Sequence, residues 1–195
     1  VEDVATPRAW RKDPKKVLDF YNYRRQQVLK AEPNHAHKVL AELEESYNVT
    51  IITQNIDDLH ERAGSTRILH LHGEILSMRS EKDETMKYRC LGDINLGDLA
   101  EDGEQLRPDI VWFEEPVPAI EEAANITRTA DIFVVIGTSL QVYPAAGLLD
   151  FAPKFAPKFL IDKAAVDHAE IQNLTLIQQP ATEGVEVLKA KLTAL

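Results

Sequence analysis

Between Thr53 and Ile75 the chain reads TQNIDDLHERAGSTRILHLHGEI, three histidines, a carboxylate pair and two glycines directly after a β-branched run. His72 stands beside Gly73 at the expected end of a strand. An imidazole with an ordinary pKa of about 6.5 suits proton transfer at neutral pH, although a strand histidine also serves as a hydrogen-bonded core residue. Gln54, Asn55 and Asp57 leave the preceding strand with amide and carboxylate groups; for Asn55 and Asp57 the plain alternative is an Asx-turn that caps the segment DDLHERAG. Farther along, DIFVVIGTSL ends a strand at Gly137, Thr138 and Ser139. Those residues offer backbone N–H groups and hydroxyls to a phosphate or ribose, or simply cap the next helix. Three polar strand ends of this kind point to a small-molecule pocket, because ligands of open parallel sheets bind beyond the carboxyl ends of the strands.

Two other groupings bear on chemistry. His70 and His72 share a strand face and could ligate a metal with Asp57 or His60, which keeps a metal-hydrolase reading open. His35 and His37 are two apart on a helix and share no face. Tyr21 and Arg24 lie in a stripe with Val17, Phe20 and Val28. Helical spacing places Arg24 near the middle of that stripe, where an arginine either snorkels outward, forms an internal salt bridge, or grips a substrate carboxylate jointly with Tyr21.

These residues need elements to hold them. Asp13 before Pro14 predicts a capped helix running to about Lys30, and Asn34 predicts a second cap for HAHKVLAELEESY. NVTIIT and DIFVVIG read as buried strands, KFLID and LTLIQ as further strands. AIEEAANITRTA, AAGLLDFA and EGVEVLKAKLTAL read as helices, the last with Val185, Leu188 and Leu192 inward. Strands alternating with helices predict an α/β fold built on a Rossmann-like, doubly wound parallel sheet. Ser77 to Gln105 is polar and weakly periodic, a surface module or long loop. FAPKFAPKF is a proline-punctuated loop.

The 195 residues suit one domain, 1–195. Thirty-two acidic against 22 basic residues give a formal charge of -10, which repels a phosphate backbone; no nucleic-acid partner is expected. The single cysteine, Cys90, rules out an internal disulfide. Neither a bilayer-spanning run nor a signal peptide is evident, so no membrane partner is expected and the expected location is cytoplasmic.

Taken in order, TQNIDDLHERAG, HLHGE, VWFEEPVP and IGTSLQVYPAAGLL resemble the sirtuin family, the NAD-dependent protein-lysine deacylases, and the resemblance spans nearly the whole chain. Tyr21 and Arg24 resemble the Tyr-x-x-Arg pair of a bacterial subgroup that favours acidic acyl groups such as succinyl. The resemblance implies NAD as cofactor, acylated-lysine proteins or peptides as partners, and His72 as the general base acting on the nicotinamide ribose. It implies Gln54, Asn55 and Asp57 around the nicotinamide and ribose, Gly137, Thr138 and Ser139 at the phosphate and ribose, and Asp162 with the Ala181–Thr182 pair near the adenosine. Val111, Trp112 and Phe113 would border the acyl-lysine channel, the substrate backbone adding as a strand. A small second module would comprise a helical part, 14–46, and an inserted part, 75–107.

Three departures qualify the resemblance. The family's first strand and Gly-rich phosphate loop have no counterpart in these residues, which suggests an upstream segment beyond the sequence in hand. Cys90 alone cannot make the family's four-cysteine zinc site, so no zinc and no other metal is expected. Glu114 stands where the family usually has glycine, placing a negative charge or an altered turn beside the channel. The expected activity is desuccinylation or demalonylation in preference to deacetylation; the alternative is a catalytically silent NAD- or peptide-binding module.

Overall fold

A computed structural model describes residues 3–138, 143–164 and 171–194. The chain forms two compact units. The first comprises Val1–Glu32, Thr53–Leu59 and His70–Val117; the second comprises Pro33–Ile52, His60–Leu69 and Pro118–Leu195. The fold is the mixed α/β, Rossmann-like class expected, with a parallel sheet.

In the first unit, α1 (Pro7–Lys12) begins where Thr6 Oγ1 accepts the Ala9 amide, and α2 (Pro14–Lys30) where Asp13 Oδ1 accepts the Lys16 amide, with proline opening each helix. The inward stripe of α2 is Val17, Leu18, Tyr21, Asn22 and Arg25. This corrects the sequence reading of the stripe, because Arg24 is exposed and Arg25, its neighbour, is fully buried at 0%. A guanidinium is tolerated there because oxygens meet it: Nε donates to Ile75 O at 2.8 Å, and Nη1 to Asn22 Oδ1 at 2.8 Å and Gly92 O at 3.2 Å. Asn22 in turn bonds both the amide and the carbonyl of Ile94.

The polar stretch after the histidines is ordered around this centre. β3 (Gly73–Ser80) is flanked antiparallel by β4 (Lys87–Arg89) and β5 (Leu106–Ile110), with α2 packed on β3 and β5. Its core joins Trp10, Leu18, Tyr21, Ile75, Cys90, Ile94, Leu106 and Trp112. Pro108 sits in β5, an edge strand of its sheet among the described residues, where proline is tolerated. Gly73 has φ +80°, and a Cβ there would lie 2.0 Å from Asp109 O. No other residue fits this opening of β3 beside β5.

In the second unit, β6 (Phe133–Ile136), β7 (Lys158–Ile161) and β8 (Leu174–Ile177) pair in parallel, Val135 with Leu160 and Leu160 with Leu176. α3 (His35–Glu42), capped by Asn34 as expected, packs on α6 (Ala181–Thr193), and both cover Phe159, Ile161 and Ile177. Thus α3 lies in the other unit from α2. α5 (Ile120–Arg128) packs on the segment Ala145–Phe151, which is a 3-10 helix rather than an α-helix. The FAPKFAPKF loop folds over the Lys158 ammonium, which is 4% exposed and donates to Pro153 O at 2.8 Å, Ala156 O at 3.0 Å and Lys154 O at 3.4 Å.

β1 (Ile51–Thr53) pairs with β2 (Ile68–His70), a ladder seen as Ile51 N–H to Arg67 O in the second unit and Leu71 N–H to Thr53 O in the first. Among the described residues no helix is long and apolar enough to cross a membrane.

Removing the Lys158 ammonium strands buried carbonyls, so Lys158→Met is expected to cost about 3 kcal/mol and lower the melting temperature by roughly 10 °C. Thermal unfolding followed by circular dichroism checks this; an unchanged melting temperature would show that the loop finds other donors.

Candidate functional site

The first unit gathers one set of the expected site residues. Where β1 ends, Thr53 Oγ1 accepts the Asn55 amide at 3.0 Å, turning the chain so that the carbonyls of Gln54 and Asn55 face two histidines. His72 Nδ1 lies 3.2 Å from Gln54 O and His70 Nδ1 lies 3.3 Å from Asn55 O. A carbonyl only accepts, so the His72 contact places the proton on Nδ1 and leaves Nε2 with its lone pair. The ring is half-buried. Burial pushes its pKa below the ordinary histidine value, opposed by the Gln54 carbonyl, which favours the protonated ring. Its neutral form is therefore the resting form at pH 7, a proton acceptor at Nε2.

Asp57 Oδ1 accepts the Leu59 amide at 3.0 Å, the Asx-turn foreseen as the plain reading, at the entry to α4 (Leu59–Ala63). Among the described residues His72 belongs to no cluster of three metal-ligating side chains.

The turn after β5 lies against the same histidine, since the Val111 amide donates to His72 O at 2.9 Å. Phe113, 54% exposed, donates its amide to Ala5 O at 3.0 Å. Trp112 is buried, its ring 5.6 Å from Trp10 and 6.5 Å from Tyr21. Burial pushes the Tyr21 phenol up to about 12, against the opposing influence of the Trp112 indole and Arg107. It therefore stays a neutral hydroxyl donor at any physiological pH. The exposed Arg24 makes no hydrogen bond or ion pair among the described residues.

Glu114 resolves the question its identity raises. Its φ is +72°, a conformation natural to glycine and uncommon for other residues, so the turn keeps a glycine-like shape despite the side chain. The carboxylate is turned to Arg8, whose Nη2 and Nε lie 2.9 and 3.2 Å from Oε1. With both partners well exposed, this pair offsets the charge locally and adds little stability.

A second set lies in the second unit. Gly137, Ile161, Asp162, Lys163, Pro180, Ala181 and Thr182 line a concavity of about 360 Å³ at the carboxyl ends of the parallel strands. Gly137 has φ +64°, and no described residue beyond its chain neighbours lies within 4 Å of where a Cβ would point. Asp162 and Ala181 line this concavity, as expected of residues near a nucleoside. Thr138 is adjacent in the chain to Gly137, and Ser139 lies outside the described residues.

Sequence reading missed Arg25, Arg107 and Asp109, the buried charged residues of the first unit, and the half-buried Glu115 that pairs with Arg107. Position was the signal for the two arginines: Arg25 follows Arg24 one helical step on, and Arg107 lies within a strand whose every residue is buried.

Residues 1–144 match the Sir2 family. The chain is 56% identical over 192 residues to a protein named NAD-dependent protein deacylase from Helicobacter pylori, covering 98% of this chain and 84% of that one. A protein of the same name from Bacteroides thetaiotaomicron is 50% identical over 198 residues, covering 98% and 85%. Among solved structures, a Sir2 homolog–NAD complex superposes with a TM-score of 0.88 at 34% identity, covering 99% of this chain and 78% of that chain. Sir2Tm bound to a propionylated peptide gives a TM-score of 0.80 at 29% identity, covering 94% and 81%.

By NMR, the His72 ring is expected to titrate below about 6.5, the ordinary value. The unfolded chain then binds a proton near that pH while the folded chain binds it only lower, so stability falls as pH drops through the window. Urea unfolding at pH 7.5 and 5.5 should show this increment in the wild type and its loss in His72→Gln. Titration at or above the ordinary value would contradict the geometry.

Proposed function

The chain belongs to the Sir2 family, and from that membership we propose that it is an NAD-dependent protein-lysine deacylase that prefers acidic acyl groups, succinyl or malonyl, over acetyl. The observation that carries the reading is His72, a neutral imidazole whose Nδ1 proton is fixed by Gln54 and whose Nε2 is available as a base.

The residues suit the cofactor. In the second unit, the Gly137 backbone and the Asp162 carboxylate fit a ribose–phosphate group, with Ala181 at the adenosine; the expected contribution of Thr138 rests on its place next to Gly137 in the chain, and that of Ser139 lies outside the described residues. In the first, Gln54, Asn55 and Asp57 would line the nicotinamide and its ribose. When bound, NAD supplies an electrophilic ribose carbon with nicotinamide as leaving group. His72 Nε2 would take a proton from a ribose hydroxyl, and its role is that of a positioned base with a pKa below the working pH.

For the acyl-lysine, Val111, Trp112 and Phe113 form the proposed channel border. Their three amides are engaged by His72 O, the Glu115 carboxylate and Ala5 O. The carbonyls of Val111 and Phe113 are then the backbone groups that a substrate strand would bond. A neutral Tyr21 hydroxyl and an unpaired Arg24 guanidinium, one turn apart on α2, supply a donor and a charge for a terminal carboxylate. The pairing of Glu114 with Arg8 reduces the repulsion such a substrate would meet.

His72→Ala is expected to lower deacylation of a succinyl-lysine peptide at least 100-fold. Persistence of activity would remove His72 as the base, and NAD binding without turnover by the wild type would favour the silent module. Arg24→Met is expected to lower kcat/KM for the succinyl peptide about 10- to 100-fold more than for its acetyl counterpart, the worth of one charge-assisted hydrogen bond. Equal losses would end the case for an acidic acyl preference.

A further inference from the structure

Beneath the proposed acyl channel lies a cluster that the reaction as described does not use. Arg107, 4% exposed on β5, places its guanidinium carbon 3.3 Å from the centroid of the Trp112 ring. Its Nη1 and Nη2 donate to the two oxygens of Glu115 at 2.8 and 3.2 Å, and Nη2 also donates to Ile110 O at 2.8 Å. The Glu115 carboxylate receives the Trp112 amide as well, at 2.7 Å, while the Glu115 amide donates to Trp112 O at 3.1 Å. One fork thus grips the first and last residues of the turn and covers the ring that the turn carries.

We propose that Arg107 is a positioning residue for the acyl-lysine channel, its stacked and forked guanidinium holding the Trp112 ring and the Val111 amide at His72 in a single arrangement. The inference rests on the deacylase reading for its substrate but on geometry for its mechanism. The turn needs such a clamp, because it contains Glu114 at φ +72°, a strained shape that relaxes unless its flanks are fixed. Phe113 is held from the other side by Ala5. Electrostatics agree with the geometry. Burial alone would raise the Glu115 carboxyl, yet the Arg107 and Trp112 donors outweigh it and hold the pKa low. Burial lowers Arg107 and Glu115 opposes that, so both stay charged and joined. The planar fork and the flat stack are properties of arginine that lysine lacks.

The decisive comparison is therefore Arg107→Lys, which keeps the charge and removes the shape. With wild-type turnover measured alongside, the variant is expected to raise KM for the acyl-lysine peptide about tenfold, with KM for NAD within twofold and a melting temperature within a few degrees. In a Trp10→Phe background Trp112 is the remaining indole, and its emission is expected to shift to the red in Arg107→Lys. An acyl-peptide KM within twofold of wild type with unchanged emission would overturn the proposal. So would equal rises in both KM values accompanied by a large fall in melting temperature, since that is a general structural loss. Should Arg107→Lys fail to fold, Glu115→Asp, which keeps the opposite charge but shortens the arm of the fork, is read against the same outcomes. A wild type with no turnover would refute the deacylase reading alone, and the emission shift would still decide whether Arg107 positions Trp112.

Discussion

A cation removed from water has to be met by oxygen atoms, and both units are organised around cations met in this way. Arg25 is answered by Ile75 O, Gly92 O and the Asn22 side chain; Arg107 by Glu115 and Ile110 O; Lys158 by the carbonyls of its own preceding loop. In each case at least one of the acceptors is a backbone carbonyl. A charge at the centre supplies the donors that irregular chain would otherwise lack when buried. That is how the polar stretch from Ser77 to Gln105, unpromising as a core, wraps an interior. Breaking such a pairing is costly because it leaves a charge behind as well as removing a bond.

The same use of carbonyls tunes the histidine. Thr53 turns the chain, Gln54 O receives Nδ1 of His72, and the His72 carbonyl receives the Val111 amide. Proton placement on the ring and placement of the turn after β5 are thus two ends of one chain of hydrogen bonds. Arg107 fixes the far end of that turn. The hydrogen-bonded surroundings of His72 are fixed, whereas Phe113 and Arg24 are exposed.

Much of this was legible in the residues. Caps at Asp13 and Asn34 announce α2 and α3, and the apolar runs around Val135, Leu160 and Leu176 announce a parallel sheet, because local hydrogen bonding and hydrophobic pattern determine such elements. The strand ends at Gln54, His72 and Gly137 were readable for the same reason. The stripe on α2 was read one residue early. Arg24 and Arg25 are 100° apart on the helix, and only the distant carbonyls of Ile75 and Gly92 decide which guanidinium turns inward. Likewise Glu114 carries no local sign of a left-handed turn; the clamp from Arg107 and the bond to Ala5 impose it from outside the turn.

Neither unit is a continuous length of chain, and this orders their completion during synthesis. The first unit needs nothing after Val117, whereas the second lacks the cover for Phe159, Ile161 and Ile177 until Val185, Leu188 and Leu192 of α6 have been made. Domains fold as units and, on the ribosome, the earlier one first. The half that contains His72 can therefore settle while the sheet that contains Gly137 and Asp162 is still emerging. Segments 33–52 and 60–69 can meanwhile bond to each other, Ile51 N–H to Arg67 O and Thr66 N–H to Glu44, but α3 within the first of them has no α6 to pack on until the end. The apolar face left waiting longest is that of Ala36, Val39 and Leu43, a delay that arises from the order of translation and not from any weakness in the finished fold.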